Sequence, residues 1–463
     1  VLAPSHVGDG TSHRERLSVV PSTSGAVVSP RGFRAVALCL AASVALPSLG
    51  AQPAPFLRDT LTLPALQQLA AVRDPRVRAA AAFATAAVAR VGTATRPPDP
   101  ELQLGAMNYS LPGLRPDPVL GMAQLQVMQM VPLPGKLGAA STAARSRAAS
   151  AEARTRDVVL TVRADVAVAY LDRWEALEAA RLAGETRRLL EDAASVATAM
   201  YRVGDGRQSD VLRARVEIAR MDEEVVRMTA MADAAAARLG ASLDTLPEGL
   251  LVAATPPPFP DTLPSLSALL AAALEARPML VAGAAAVRAA DANADLARRE
   301  LWPDLRVGVQ YGQRRMDGGI DRMGSLMVGA TLPVFARTRQ LRMRDEASAM
   351  REMAEAELAM MRADTRRRLA EVHAMLASAR RLRALYRTTV LPQADAAAAS
   401  ALASYRSGAV DFMTVLDNRM TATRYRRELV ALDATEGRAW AELEMLTGRP
   451  WLTSPALPAG VPR

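Results

Sequence analysis

Two hydrophobic periods alternate along this chain. Over long stretches apolar residues recur every three or four positions, as at Val159, Val162, Val166 and Ala169, the spacing of one helix face. No proline interrupts this pattern from Lys136 to Met200, and at 1.5 Å per residue the helix it predicts is about 100 Å long. A second such stretch runs from about Arg337 to Ser404, interrupted only by Pro392. Each ends at a glycine-containing tip, Gly204 to Gly206 in one case and Gly408 in the other. From each tip a shorter helix returns, Ser209 to Leu239 and Phe412 to Leu446, so the chain predicts two long helical hairpins.

Four short stretches carry the other period. Leu305, Val307, Val309 and Tyr311 alternate with Asp304, Arg306, Gly308 and Gln310. Leu326, Val328, Ala330 and Leu332 alternate with small or polar partners, and Leu102, Leu104 and Ala106, then Leu125 and Val127, repeat the pattern upstream. Period-two alternation marks strands with one apolar face. A run of about 9–11 residues is also what a tilted strand needs to cross a bilayer. A small soluble sheet satisfies the same alternation. The intervening stretches LPGLRPDP and QRRMDGGIDRMG read as turn-rich loops.

The two halves echo each other. YRVGDGRQSDVLRAR at Tyr201 returns as YRSGAVDFMTVLDNR at Tyr405, 204 positions on, and the match extends through Arg220/Arg424 and Glu224/Glu428. Pro75/Pro278 and Pro100/Pro303 share an offset of 203, and Pro132/Pro333 one of 201. Prolines and glycines held in step point to a duplicated chain. Residues 60–250 form the first repeat, with strands at about 101–110 and 121–131. Residues 265–448 form the second, with strands at about 303–313 and 324–333. The Pro-rich stretch 255–264 links them as a stiff spacer, and 449–463 is a Pro-rich tail.

Half of the 463 residues are apolar but only 4% are aromatic, which suits closely packed Ala-rich helices better than a large compact core. The formal charge of +9 comes from arginines interleaved with acids along helices, and no basic patch with stacking aromatics appears, so nucleic acid is not an expected partner. Residues 1–50 read as a leader. Within it Arg31 and Arg34 precede the apolar run AVALCLAASVAL and a small-residue cleavage region, a signal peptide over 31–50 cut after Gly50 or Ala51. The run is too short to span a bilayer. The single cysteine, Cys39, lies inside it behind the bulky Leu38, which argues against a lipid anchor. Beyond the leader no thiol remains, and His373 is the one histidine. No nucleophile elbow, phosphate loop or His/Cys cluster is present, so neither catalysis nor a metal or other cofactor is expected.

Four strands cannot close a barrel, for which about eight is the practical minimum, and open edges cannot face lipid. If the strands are in a membrane, two, three or four chains must pool them.

The signal peptide, the duplicated halves, the two β-hairpins between long helices and the Tyr-x-x-Gly tips followed by Val-Leu together resemble the TolC outer-membrane efflux family. VMQMVPLPGKLGAA, with Pro132, Pro134, Gly135, Lys136 and Leu137, is similar to that family's strand-to-helix junction. LARRELWPDLRVGVQYG is similar to its second helix-to-strand junction. The resemblance covers about residues 60–450. It implies a mainly α fold with a small membrane β-barrel: duplicated helical hairpins forming an α-barrel, and four strands per protomer in a 12-stranded barrel of a homotrimer. It also implies a passive exit duct in the outer membrane that extends into the periplasm. There the duct docks to a periplasmic adaptor and an inner-membrane pump of the resistance-nodulation-division or ABC type, and no enzyme activity is involved.

In the family an acidic ring lines the periplasmic mouth, and a tip tyrosine and an aspartate of the neighbouring hairpin hold it shut. Matched residue by residue, Asp417 falls at one ring position, with Asp411 close by, and Thr414 replaces the second acid; Asp210 and Tyr405 fall at the lock. The plainer reading makes Asp417 and Asp210 solvated helix residues, Asp210 favouring a helix start. Two departures stand out: no lipoprotein cysteine, and Ala409 and Val410 where relatives carry a basic residue for a cross-hairpin link. The cargo stays open between metal ions, drugs and secreted proteins. The 21 methionines suit Cu(I) as well as ordinary packing. A periplasmic coiled-coil adaptor is the rival reading, although it has one hairpin and a lipoyl-like sheet not found here. A periplasmic enzyme on a helical scaffold lacks its catalytic residues.

Overall fold

The computed structural model describes residues 62–450 apart from 111, 114, 119, 246–257 and 317. The leader with its cleavage site and Cys39, the start of the Pro-rich linker and the tail beyond 450 lie outside the described residues.

The paired prolines have a direct structural meaning. Helix α1 (Leu63–Arg73) gives way to α2 (Pro75–Ala94), and Pro75 is the first residue of the new helix, where its missing N–H costs nothing. In the second repeat α5 (Leu266–Ala276) gives way to α6 (Pro278–Arg299) at Pro278 in the same role. The caps differ. Asp74 precedes Pro75, and its Oδ1 accepts the Arg76 N–H at 2.8 Å. Arg277 stands in the matching position and has no acceptor to offer. There the carboxylate of Asp157, from the long helix α3 (Lys136–Val203), faces the start of the helix, near the Met279 N–H and the Arg277 guanidinium.

Strands β1 (Glu101–Met107), β4 (Met122–Val131), β5 (Leu305–Met316) and β6 (Gly319–Ala330) form one antiparallel sheet in the order β1-β4-β5-β6. The two repeats meet at the β4–β5 pairing. A two-residue ribbon, β2 (Tyr109–Ser110) with β3 (Arg115–Pro116), caps the first hairpin. The second hairpin differs from its sequence reading. Most of QRRMDGGIDRMG is strand, with Gln313 opposite Arg322 and Arg314 opposite Asp321. The latter pair makes an ion pair of 3.2 Å, which stabilises pairing where Gly and Asp had suggested a loop.

The register sorts the faces. Leu102, Val127, Val309 and Leu326 lie in one row across all four strands, 64%, 37%, 57% and 72% exposed, so the apolar face is uncovered in the single chain. The row Gln103, Gln126, Gln310 and Ser325 runs across the opposite face.

The helical body is built on α3, at 68 residues about 100 Å long. It packs against α2, α4 (Gln208–Ser242), α6 and α9 (Phe412–Thr447). In the second repeat α7 (Gln340–Leu385) passes through a π-helical turn, Tyr386–Val390, into α8 (Leu391–Arg406). Pro392 does not stop the helix. Its missing donor is accommodated by the wider turn just before it.

The main core lies where the short helices cross the long ones. Val162, Val166 and Leu171 of α3 meet Leu369 and Leu376 of α7, Trp440 and Leu443 of α9, and Leu63 and Leu269. Beside it Glu436, with a fully buried side chain, accepts from Arg380 at 2.8 Å and Arg383 at 2.5 Å. Arg380 stacks over Trp440 and also donates to the Pro260 carbonyl, fastening the end of the inter-repeat linker to the core.

Candidate functional site

The tips are shaped by their glycines. α3 ends at Gly204, whose φ of 87° lies in the left-handed region and whose N–H turns back to the Met200 and Tyr201 carbonyls. Gly408 ends α8 in the same way, with φ 73° and an N–H bonded to the Tyr405 carbonyl at 3.0 Å. Gly206 needs its missing side chain for a different reason: a Cβ there would come within 2.9 Å of the Tyr201 nitrogen.

An apolar core holds the two hairpins together just behind the tips. Leu190 and Ala197 of α3, Val211 and Ala214 of α4, and Phe412, Val415 and Leu416 of α9 surround Tyr405. The Tyr405 ring packs edge-on to Phe412 with centroids 5.7 Å apart. Burial raises the pKa of its hydroxyl, and the charge of Asp210 raises it further. Tyr405 on α8 and Asp210 on α4 thus belong to different hairpins of one chain and interact electrostatically.

Asp411 is the N-cap of α9. Its Oδ1 accepts the Thr414 N–H at 3.0 Å and the Thr414 hydroxyl at 2.6 Å. Those bonds, with the charge of Arg207 as a smaller contribution, hold its carboxyl below the usual carboxylate range. Thr414, in the place of an acid, therefore completes a cap. Asp417 is exposed on α9 beyond it.

Residues that sequence reasoning did not single out link the hairpins. Arg213 of α4 donates to the Met413 sulfur of α9 at 2.9 Å. Arg427 of α9 pairs with Glu224 of α4 at 2.6 Å. Within the first hairpin Arg187 of α3 pairs with Asp222 of α4 at 2.8 Å. In a chain with so many arginines, composition gave no sign of which would bridge.

At the other end of α3, Lys136 is buried. Its Nζ donates to Asp304 and to the Trp302 carbonyl, each at 2.8 Å, tying the start of the long helix to the start of β5. Among the described residues no group of three or more His, Cys, Asp or Glu side chains is placed to hold a metal ion.

Among the described residues these side chains serve caps, ion pairs and packing. The arrangement offers a sheet with an apolar face, a long helical body and a pair of tips lined with acids, which is the layout of a conduit. The sequence model of the family described as "Outer membrane efflux protein" matches residues 66–244 and 269–449, one stretch in each repeat. The chain is 26% identical over 399 residues to the cobalt-zinc-cadmium resistance protein CzcC of Cupriavidus metallidurans, covering 84% of this chain and 90% of that one. Its fold is similar to the outer membrane protein VceC of Vibrio cholerae, with a TM-score of 0.72 and 19% identity over 83% of this chain and 96% of that one. The channel protein CusC gives 0.70 and 19% over 83% and 91%. The adaptor reading finds no support in these matches. The chain belongs to the outer membrane efflux protein family, and it is an outer-membrane exit-channel subunit, not an enzyme.

Proposed function

We propose that three copies of this chain pool their strands into one 12-stranded barrel that continues as a helical tunnel toward the periplasmic tips. The observation that carries this reading is the open sheet. β1 and β6 are edges with unpaired backbone groups, and the Leu102–Val127–Val309–Leu326 face is uncovered. An edge of this kind cannot sit in lipid, so neighbouring copies must pair with it. Four strands per chain make eight in a dimer and twelve in a trimer. The trimer follows the expectation drawn from the family resemblance.

The duct is passive. A periplasmic adaptor meets it at the tips, and an inner-membrane pump of the resistance-nodulation-division or ABC type supplies the energy. At the mouth, Asp417 forms a threefold ring that attracts cations, while Tyr405 and Asp210 hold the closed state. The name of the relative CzcC favours metal cations among the cargo classes that the sequence leaves open.

Light scattering of the folded protein in detergent tests the assembly. A trimer that runs compactly on unheated SDS gels and dissociates on boiling is the expected result. A folded monomer would overturn the barrel.

A further inference from the structure

We propose that the polar face of the strand sheet is a thioether site for soft d10 cations, Ag(I) or Cu(I), built from methionine pairs that flank Gly308 and Gly312. The first support is a segregation of side chains. The aliphatic residues Leu125, Val127, Val307, Val309, Leu326 and Val328 share one face of the sheet. Every methionine of β1, β4 and β6 lies on the other: Met107, Met122, Met128, Met130, Met323 and Met327. Thioethers used only as apolar filler belong with the Leu and Val residues. Here they sit among Gln124, Gln126, Gln310, Arg306 and Arg314, on the face that meets water in the barrel reading.

The second support is geometric. Met128 and Met327 lie on either side of Gly308 in one register row, and Gly312 lies directly opposite Met323. Met122 leans over Gly312 so far that its sulfur is 2.7 Å from where a Cβ would be, and the Met128 Cγ is 2.9 Å from the same point on Gly308. Each glycine is thus a gap over which a methionine of β4 reaches, and a methionine of β6 stands opposite it in the register. Two neutral, polarizable thioethers on neighbouring strands at one gap form a donor set for a soft monovalent cation and a poor one for Zn(II), which takes imidazole, thiolate and carboxylate ligands. Only the placement of this face inside a lumen depends on the proposed function. The donor set itself belongs to a single sheet.

The test uses the full chain with Cys39→Ser, folded in detergent and chloride-free nitrate buffer, with Ag(I) uptake measured by equilibrium dialysis and ligation read by silver-edge X-ray absorption. The expected result is sulfur-ligated Ag(I) on the parent. Affinity should fall tenfold or more when Met122, Met128, Met323 and Met327 are all changed to Leu, a swap that keeps side-chain volume. The two pairwise variants, Met122→Leu with Met323→Leu and Met128→Leu with Met327→Leu, should each lose part of it, which preserves the test if the fourfold variant misfolds. Zn(II) uptake should be the same throughout. Ag(I) uptake indifferent to the substitutions, or bound through nitrogen and oxygen alone, would overturn the site even in a conducting trimer. A monomer that still takes up sulfur-ligated Ag(I) would overturn the barrel and support the site.

Discussion

Lys136 and Asp304, 168 positions apart in sequence, form a 2.8 Å ion pair at the junction between the helical body and the strands, with only 6% of the Lys136 side chain exposed. The pair joins the first repeat to the second, and the Trp302 carbonyl takes a further proton of the ammonium. Replacing Asp304 by Ala leaves a buried cation without its partner and should cost about 3 kcal/mol. Replacing Lys136 by Met removes the charge together with its need for a partner and should cost less. Thermal melting of the two variants, followed by the loss of the unheated oligomer band, checks this ordering.

The faces of β5 make opposite demands. Val307 lies on the apolar face opposite Gln129 and Val328, and Arg306 on the polar one. Val307→Arg should lower the yield of assembled protein and cost roughly 2–4 kcal/mol if the residue sits near the bilayer midplane. Arg306→Gln should be tolerated. An equal loss from both would contradict the assignment of lipid and lumen faces.

At the tips two aspartates should separate by assay. Asp417→Ala should reduce cation preference and block by trivalent cations in planar bilayers, with melting unchanged. Asp411→Ala removes the cap that Thr414 completes, so it should loosen the start of α9 and lower the melting temperature. Tyr405→Phe keeps the contact with Phe412, so its combination with Asp210→Ala should raise conductance without unpacking the tip core. Parental conductance in that double variant would place the gate elsewhere.

Asp157 should give the protein a pH dependence of definite sign. Burial raises its pKa, while Arg277 and the Met279 N–H draw it back in part. An acid with a raised native pKa holds its proton more tightly when folded. Stability is therefore lost as pH rises from the ordinary carboxylate value of about 4 through the native one, and is regained on the way down. Asp433 and Glu442, also raised chiefly by burial, add in the same direction. Asp157→Asn should flatten the slope of melting temperature against pH between pH 4.5 and 7.5. Parallel curves for parent and variant would show that Asp157 does not carry it.

Much of the fold was legible because its signals are local. Pro75 and Pro278 mark helix starts, Gly204 and Gly408 mark tips, and the alternation around Val307 and Val309 marks a strand wherever it sits. The signals failed where partners decided the outcome. The stretch from Gln313 to Gly324 looks like a loop by composition, yet Arg314 and Asp321 meet across it and extend the strands. Pro392 reads as an interruption of the long helical stretch, and the wide turn just before it, which no local signal announces, carries the helix through. At the tips, Asp411 matched the acids of the family's mouth, whereas its place just before α9 makes it an N-cap that Thr414 completes. The Arg213–Met413 and Arg427–Glu224 links could not be read from sequence at all, because nothing local selects one arginine from 204 positions of repeat.

The borrowed acid at the start of α6 has a consequence for the order in which the chain matures. Helix α2 carries its own acid in Asp74 and is capped from within its own segment. Helix α6 begins behind Arg277 and faces Asp157, an acid of α3 more than a hundred residues earlier. The chain is delivered N-terminus first, so the segment that carries that acid precedes Pro278. The second half of the duplication is thus finished on a template that the first half supplies. The two halves are not interchangeable: a permuted chain that began at Leu266 would present the start of α6 before the acid of α3 that faces it.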